Sequence, residues 1–390
     1  MEPGRTSKLQ TASSEVVRDI NKRTVRNLIR TRHPISRADL ARLCGLQRST
    51  VSLIVEQLIE ENWVLEGPTG RLPRGRRPTF LRLNEERVII GVDIRPIQTT
   101  VATADVNCHF ISQEAFPTPK DPHKAMSVLV DSVQRLRRSC AGKKVEGIGV
   151  SVPGRYDHSA GQLVFAPNLD WAGFDVRGPI MKATGLEVEV EKAANACVYA
   201  SVWFDRNEPK HDLVVVTVSE GIGTGMLVNG QVIRGLKGMA GEFGHVPIES
   251  DGPACGCGGR GCWEVFASNR AALRYYSETG KGGSNLTFID LLRRADQADA
   301  DAVEALQRMA HYLGRGLRMV VAGLAPERIV LIGDLTQSWN RFGPAIEAEV
   351  SAQALQGGAA PLIVPAHESG MARLRGTVAL VLEKHFGVFE

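Results

Sequence analysis

One histidine and three cysteines fall within eighteen residues, as His245-x9-Cys255-x-Cys257-x4-Cys262, and this spacing constrains the fold more than any other feature. An imidazole and three thiolates complete a tetrahedral set for a closed structural zinc. Glycines at 256, 258, 259 and 261 let the backbone fold tightly enough to aim the sulfurs inward. The other four of the seven cysteines are single and scattered. The cluster therefore reads as metal ligation in a reducing compartment, not as a disulfide framework. One zinc per chain and a cytoplasmic location are expected. The first ten residues are polar and no 18-residue apolar run occurs, which argues against a secretory signal and a membrane span.

At 390 residues the chain exceeds one ordinary core, so two or three domains are expected. Charge divides it in the same way. Residues 1–84 hold 16 Lys and Arg against 8 Asp and Glu, a net of +8, while the remaining 306 carry −4. A basic head on a mildly acidic body suits a DNA-binding module joined to a domain that does not bind DNA.

The head has its own pattern. Val16, Ile20, Val25, Leu28 and Ile29 recur near helical spacing over 15–31, and His33-Pro34 ends that helix. Ser36 caps a short second helix, RADLARLC, closed by Gly45, and a third helix follows from Leu46 with Val51, Ile54, Leu58 and Ile59 near its buried face. Ala41-x3-Gly45-x5-Val51 puts a small residue at the helix crossing, glycine at the turn and a β-branched plug in the shared core, as in helix-turn-helix proteins. The exposed face of the third helix offers Gln47, Arg48, Ser49, Thr50 and Ser52 to base edges and phosphates. Strand-like segments at 63–65 and 80–83 then flank the basic stretch RLPRGRRP, which reads as a wing. Arg71, Arg74, Arg76 and Arg77 are placed there to grip backbone or minor groove.

From residue 88 buried strands alternate with helices: VIIGVDI, TTVATADV, a helix near 123–138, VEGIGVSV, then LVVVTV, a glycine-rich SEGIGTGMLVNG, a helix near 300–320 and RIVLIGD. Two α/β units separated by a cleft are expected.

The run GLKGMAGEFGHVPIESDGPACGCGGRGCWEVFAS (235–268) closely resembles the signature of the ROK family of sugar-responsive repressors and sugar kinases. VSVPGRYD, APNLDW, GIGTGMLVNG and LAPERIVLIG support the resemblance, which spans about 85–390, and the head resembles the repressor branch. It implies a winged helix-turn-helix over 1–84 and a two-lobed actin-like sugar-kinase-like domain over 85–390. Lobe 1 would take about 85–200 plus a C-terminal helix near 370–390, and lobe 2 about 201–369. It further implies a homodimer or homotetramer. Glu242, His245 and Glu264 would meet the sugar hydroxyls, with Gly154 and Asn168 on the opposite wall. Zinc would organise the loop presenting Glu242 and Glu264.

The sequence departs from the family's kinases where phosphoryl transfer needs it most. Their Asp-x-Gly-Gly-Thr phosphate loop is here Asp93-Ile94-Arg95-Pro96-Ile97-Gln98, which adds side chains and removes an amide donor. Gly221–Gly225 survives as a second glycine loop, and the adenosine-side Gly-Gly pair becomes Gly333-Asp334. Their Asn-Asp-Ala-Asn, whose aspartate is the base, reads Lys192-Ala193-Ala194-Asn195. A positioned base contributes about 10²–10⁴-fold in rate, and a methyl cannot accept a proton. The expectation is a regulator that is not an enzyme. It binds a double-stranded operator and represses carbohydrate genes in response to a sugar, with a phosphorylated or acidic one gaining an ion pair at Lys192. Two other readings stay open: an active sugar kinase with an appended DNA-binding domain, and a regulator whose body docks a protein partner.

Overall fold

A computed structural model describes residues 14–69, 78–166, 169, 171–204, 211–281, 283, 285–352, 360–366 and 370–387. They form two compact units. One runs to Arg87 and also takes in the chain from Leu382; the other is Val88–Val381.

In the first unit, α1 (Ser14–Arg32) precedes a two-residue strand β1 (Ile35–Ser36), then α2 (Arg37–Cys44) and α3 (Arg48–Glu60). Ser36 and Asp39 form a reciprocal capping box at the start of α2, which satisfies donors that the first turn leaves orphaned. Gly45, at φ +70°, makes the left-handed turn into α3. Val25, Ile29, Leu40, Val51, Ile54, Val55 and Leu58 are buried between the three helices. The amphipathic reading of α1 holds only for its second half. Val16 and Ile20 are exposed, because the buried positions on α1 begin at Val25. Strands β2 (Val64–Thr69) and β3 (Thr79–Leu83) pair antiparallel as the wing stem, with β1 on the other edge of β3. Phe386 is fully buried in this unit, 5.3 Å edge-on from Trp63 and 4.7 Å beneath the Arg26 guanidinium. That packing is why the chain from Leu382 groups with the head and not with the body.

The second unit contains β4 (Arg87–Ile94), β5 (Gln98–Asp105), β6 (Phe110–Pro117), α4 (Pro122–Ser139) and β7 (Lys144–Val152). There follow a hairpin, β8 (Arg155–Asp157) and β9 (Gln162–Phe165), then α5 (Arg177–Thr184), β10 (Val188–Lys192) and α6 (Ala193–Phe204). After α6 come β11 (Leu213–Val218), β12 (Ile222–Val228), β13 (Gln231–Val232), α7 (Glu264–Ala267), α8 (Asn269–Ser277), α9 (Phe288–Asp296) and α10 (Ala300–Leu324). The chain ends with β14 (Arg328–Gly333), α11 (Trp339–Ser351), β15 (Leu362–Pro365) and α12 (Ala372–Phe386).

The two large sheets are ordered β10-β7-β4-β5-β6 and β13-β12-β11-β14-β15. Counted within its own lobe, each reads 3-2-1-4-5. The second strand is antiparallel to its neighbours in both. This repeated topology is the expected two-lobed, actin-like architecture. Central β4 is buried at every position, while edge β6 alternates half-buried and exposed residues, as a covered strand and a half-solvated strand should. On one face of the first sheet, α4 packs Ala125, Met126, Leu129, Val133 and Leu136 against Ile90, Val92, Ile148 and Val150. Each of these apart from Ala125 contributes about 1.5–3 kcal/mol when fully buried. Helices α8 to α11 cover one face of the second sheet, and α6 packs on the other through Cys197 and Val198. Among the described residues no helix is long and apolar enough to cross a membrane.

Candidate functional site

The ends of several strands and the start of α6 converge on one cleft in the second unit. Its walls include Gly154, Phe165, Lys192, Ala193, Ala194, Ser219, Glu220, the Gly221–Thr224 loop, Glu242, His245, Glu264 and Arg373. About 910 Å³ of space lies between and in front of them, part of it open solvent. The structure thus brings Gly154, Glu242, His245 and Glu264 to a single place. Asn168 lies outside the described residues.

The thiol cluster adjoins the cleft. The donor atoms of His245, Cys255, Cys257 and Cys262 all lie within 4.8 Å of one another. Cys257 Sγ is 3.6 Å from Cys262 Sγ, and Cys255 Sγ is 3.6 Å from His245 Nδ1. Zinc–sulfur bonds near 2.3 Å in a tetrahedron imply sulfur–sulfur edges of about 3.8 Å, so the donor set fits the metal. Gly261, at φ +66°, is needed where the loop closes: a Cβ there would lie 1.6 Å from the Glu249 carbonyl oxygen.

His245 serves both places, which the sequence assignments left unreconciled. Its Nδ1 faces Cys255, and its Nε2 lies 3.8 Å from Glu242 in the cleft wall. Glu264 also reaches both ways. One carboxylate oxygen accepts from Cys255 Sγ at 3.1 Å, and the other accepts from the Ile222 amide at 3.4 Å.

Lys192 points into the cleft and is 95% buried, with 5% of its surface exposed. Its Nζ donates to the Ala240 carbonyl at 2.5 Å. Burial pushes this ammonium below its ordinary range, against the pull of Glu242 and Glu191. Behind it, the fully buried Glu191 accepts from the Lys192 and Asn195 nitrogens and pairs with Arg234 at 2.8 Å and His158 at 3.3 Å. Burial alone would raise the Glu191 carboxyl; His158 and Arg234 outweigh it and hold the group below its usual range.

At the far end, the Arg95 guanidinium pairs with the buried Asp93 at 2.7 Å, and Pro96 lines the wall. Burial raises the Asp334 carboxyl, with Arg95 opposing. Arg373, from the first turn of α12, donates to Ser219 Oγ at 3.2 Å. Sequence reading missed Arg373, Glu220 and Phe165. No local motif marks them, and Arg373 stands 180 positions from Ala193.

In the head, Gln47 is the N-cap of α3, and Arg48 and Ser49 in its first turn are exposed. Thr50 and Ser52 are half-buried. Arg71, Arg74, Arg76 and Arg77 lie outside the described residues, between β2 and β3.

A helix-turn-helix head joined to a duplicated 3-2-1-4-5 body, with a cleft beside a thiol cluster, defines a sugar-kinase-like protein carrying a winged head. The ROK family model matches residues 89–384, and the chain belongs to the ROK family. It is 32% identical over 382 residues to a xylose repressor of Bacillus spizizenii, covering 96% of this chain and 98% of that relative. A crystal structure of a ROK family transcriptional regulator, a homologue of the Escherichia coli MLC protein, shares the fold with a TM-score of 0.80 at 23% identity. It covers 96% of this chain and 98% of its own. A ROK family glucokinase from Streptomyces griseus, solved with glucose and AMPPNP, matches with a TM-score of 0.69 at 25% identity. That match covers 75% of this chain and 98% of its own.

Proposed function

We propose that this chain is a cytoplasmic transcriptional repressor that binds a double-stranded operator through its head and a sugar or sugar derivative through its body, without phosphorylating it. The observation that carries the reading is one cleft holding Glu242, His245 and Glu264 opposite a methyl at Ala193. Carboxylates and an imidazole suit paired sugar hydroxyls, but the wall offers no base at position 193. Arg95 closes on Asp93 in the loop where nucleotide phosphates need bare backbone. The relatives called repressors support the regulatory side of the reading.

Zinc held by His245, Cys255, Cys257 and Cys262 would supply folding energy and fix the imidazole ring. Nε2 of His245 then stays directed at the cleft, beside Glu242. The exposed Gln47, Arg48 and Ser49, with the half-buried Thr50 and Ser52 beside them, would read base edges, and the wing arginines would hold the backbone. Two such heads in a homodimer or homotetramer would meet two half-sites.

The test is selection of bound sequences from random double-stranded DNA by the full-length protein, repeated with sugars present. One enriched motif, released or tightened by a sugar, is the expected result. Failure to enrich any motif, together with saturable ATP-dependent sugar phosphorylation, would replace the reading with that of a kinase.

A further inference from the structure

Resting on the reading of the body as a sugar site, we infer that Lys192 is a positioning residue, which fixes the 234–242 segment of the second lobe to the first and so sets the Glu242 carboxylate for the sugar. The last two residues of β10, Glu191 and Lys192, each reach from the first lobe to this segment. β10 is an edge strand of the first sheet, whereas the segment follows β13 at the edge of the second. Glu191 pairs with Arg234 at 2.8 Å, and the Lys192 ammonium donates to the Ala240 carbonyl. The Ala240 amide in turn donates to the Arg234 carbonyl at 2.9 Å. The two side chains therefore hold one closed loop at both of its ends.

The second lobe holds the same segment one residue further on. The Thr224 hydroxyl, on β12, donates to the Gly241 carbonyl. Gly241 passes between the two donors at φ +80°, and a Cβ there would lie 2.5 Å from the Thr224 carbonyl oxygen and 3.1 Å from the Lys192 nitrogen. Consecutive carbonyls thus accept from opposite lobes, and the next residue is Glu242. Thr224 is fully buried and Lys192 nearly so, so little solvent reaches either donor.

What Lys192 adds is the relation between the two walls. Gly154 and Phe165 line the cleft from the first lobe, Glu242 and His245 from the second. A sugar lying between them carries its hydroxyls at fixed separations, so a pre-organised site must keep both walls in register. Thr224 ties Glu242 only to its own sheet. Lys192 sets the register, because its backbone ends a strand of the first lobe and its side chain ends two residues before Glu242 in the second. The ammonium also attracts the Glu242 carboxylate directly. An apolar chain at 192 would leave the Ala240 carbonyl without this donor and release the lobes from each other at this point.

Calorimetric titration of the full-length, zinc-replete protein with xylose, glucose and N-acetylglucosamine first finds the tightest of the three. Lys192→Met and Glu242→Gln should each weaken that sugar by about tenfold or more, as loss of a buried or charged partner does. Because Lys192 acts through Glu242, the double variant should bind no more than about twofold more weakly than Glu242→Gln alone. Losses that multiply would overturn the inference and leave the sugar-site reading standing, since a residue with a general structural role acts independently of Glu242. Hydrogen exchange needs no ligand: the amides of 240–245 should exchange faster in Lys192→Met, with those of β11 and β14 unchanged. Unaltered exchange over 240–245 would also overturn the inference. Circular dichroism and zinc content report folding, and Lys192→Gln, one bond shorter, carries the same cycle if the methionine variant does not fold. Binding of none of the three sugars, by protein that still selects an operator, would remove the sugar-site reading and leave the exchange comparison to decide the positioning role.

Discussion

The Nδ1 of His245 lies 3.6 Å from the Sγ of Cys255. The ring's other nitrogen faces Glu242 in the cleft, so one residue joins the thiol cluster to the cleft wall. Purified protein should contain about one zinc per chain. Cys257→Ser should lower metal content and melting temperature together and abolish any sugar-induced thermal shift, read by elemental analysis and calorimetry. Unchanged melting in a strong chelator would remove the zinc assignment.

Trp263 follows Cys262 of the thiol cluster and is fully buried, and it packs where Gly316 leaves a gap in α10. A Cβ at 316 would lie 1.9 Å from the indole ring. Gly316→Ala should therefore destabilise the body by about 1–3 kcal/mol, measured by urea denaturation, with zinc binding weakened as Trp263 shifts.

Arg48 is exposed in the first turn of α3. Arg48→Ala should weaken operator binding while sparing binding to unrelated DNA. Replacing Arg74, Arg76 and Arg77 together should weaken binding to every sequence and flatten the log-affinity against log-salt slope by roughly three units. Gel-shift titrations across a salt series read both effects, and unaltered binding by both variants would take the head out of the DNA contact.

Coupled assays with ATP should show no phosphorylation of hexoses, pentoses or N-acetyl sugars. Ala193→Asp should not create it, because a restored base also needs a held phosphate, and the loop expected to hold it carries the Arg95–Asp93 pair. Turnover by the unmodified protein would overturn the non-catalytic reading. Turnover by the variant alone would show that the phosphate loops still work.

Glu191 is held below its usual carboxyl range in the fold, so it binds protons more readily in the unfolded chain. Its stabilisation is complete above the unfolded value near 4.5 and is lost as pH falls below that through the folded value. Glu191→Gln leaves the partly exposed Arg234 and His158 without their buried anion; solvent screens both, so the cost at pH 7 should be about 1–3 kcal/mol. Thermal melts of both proteins across pH should show the wild-type advantage shrinking below about 4.5. A constant gap would exclude the network as its source.

Much of this was legible in the chain itself, wherever the determinants are close in sequence. The capping box at Ser36, the turn at Gly45, the buried Val51 and the spacing of the three cysteines all act within a few residues, and local geometry alone sets them. The alanine at position 193 was legible for a related reason, since the chemistry of a side chain there does not depend on packing. Only the tertiary structure decided which way Lys192 points, that Arg373 arrives from α12 to line the same cleft, and that His158 and Arg234 neutralise Glu191 from separate segments. It also decided that Val16 and Ile20 lie beyond the buried face of α1, and that Phe386 completes the core of the head. Direction and partnership of this kind depend on which surfaces meet once the sheets are packed, and no periodicity along the chain records that.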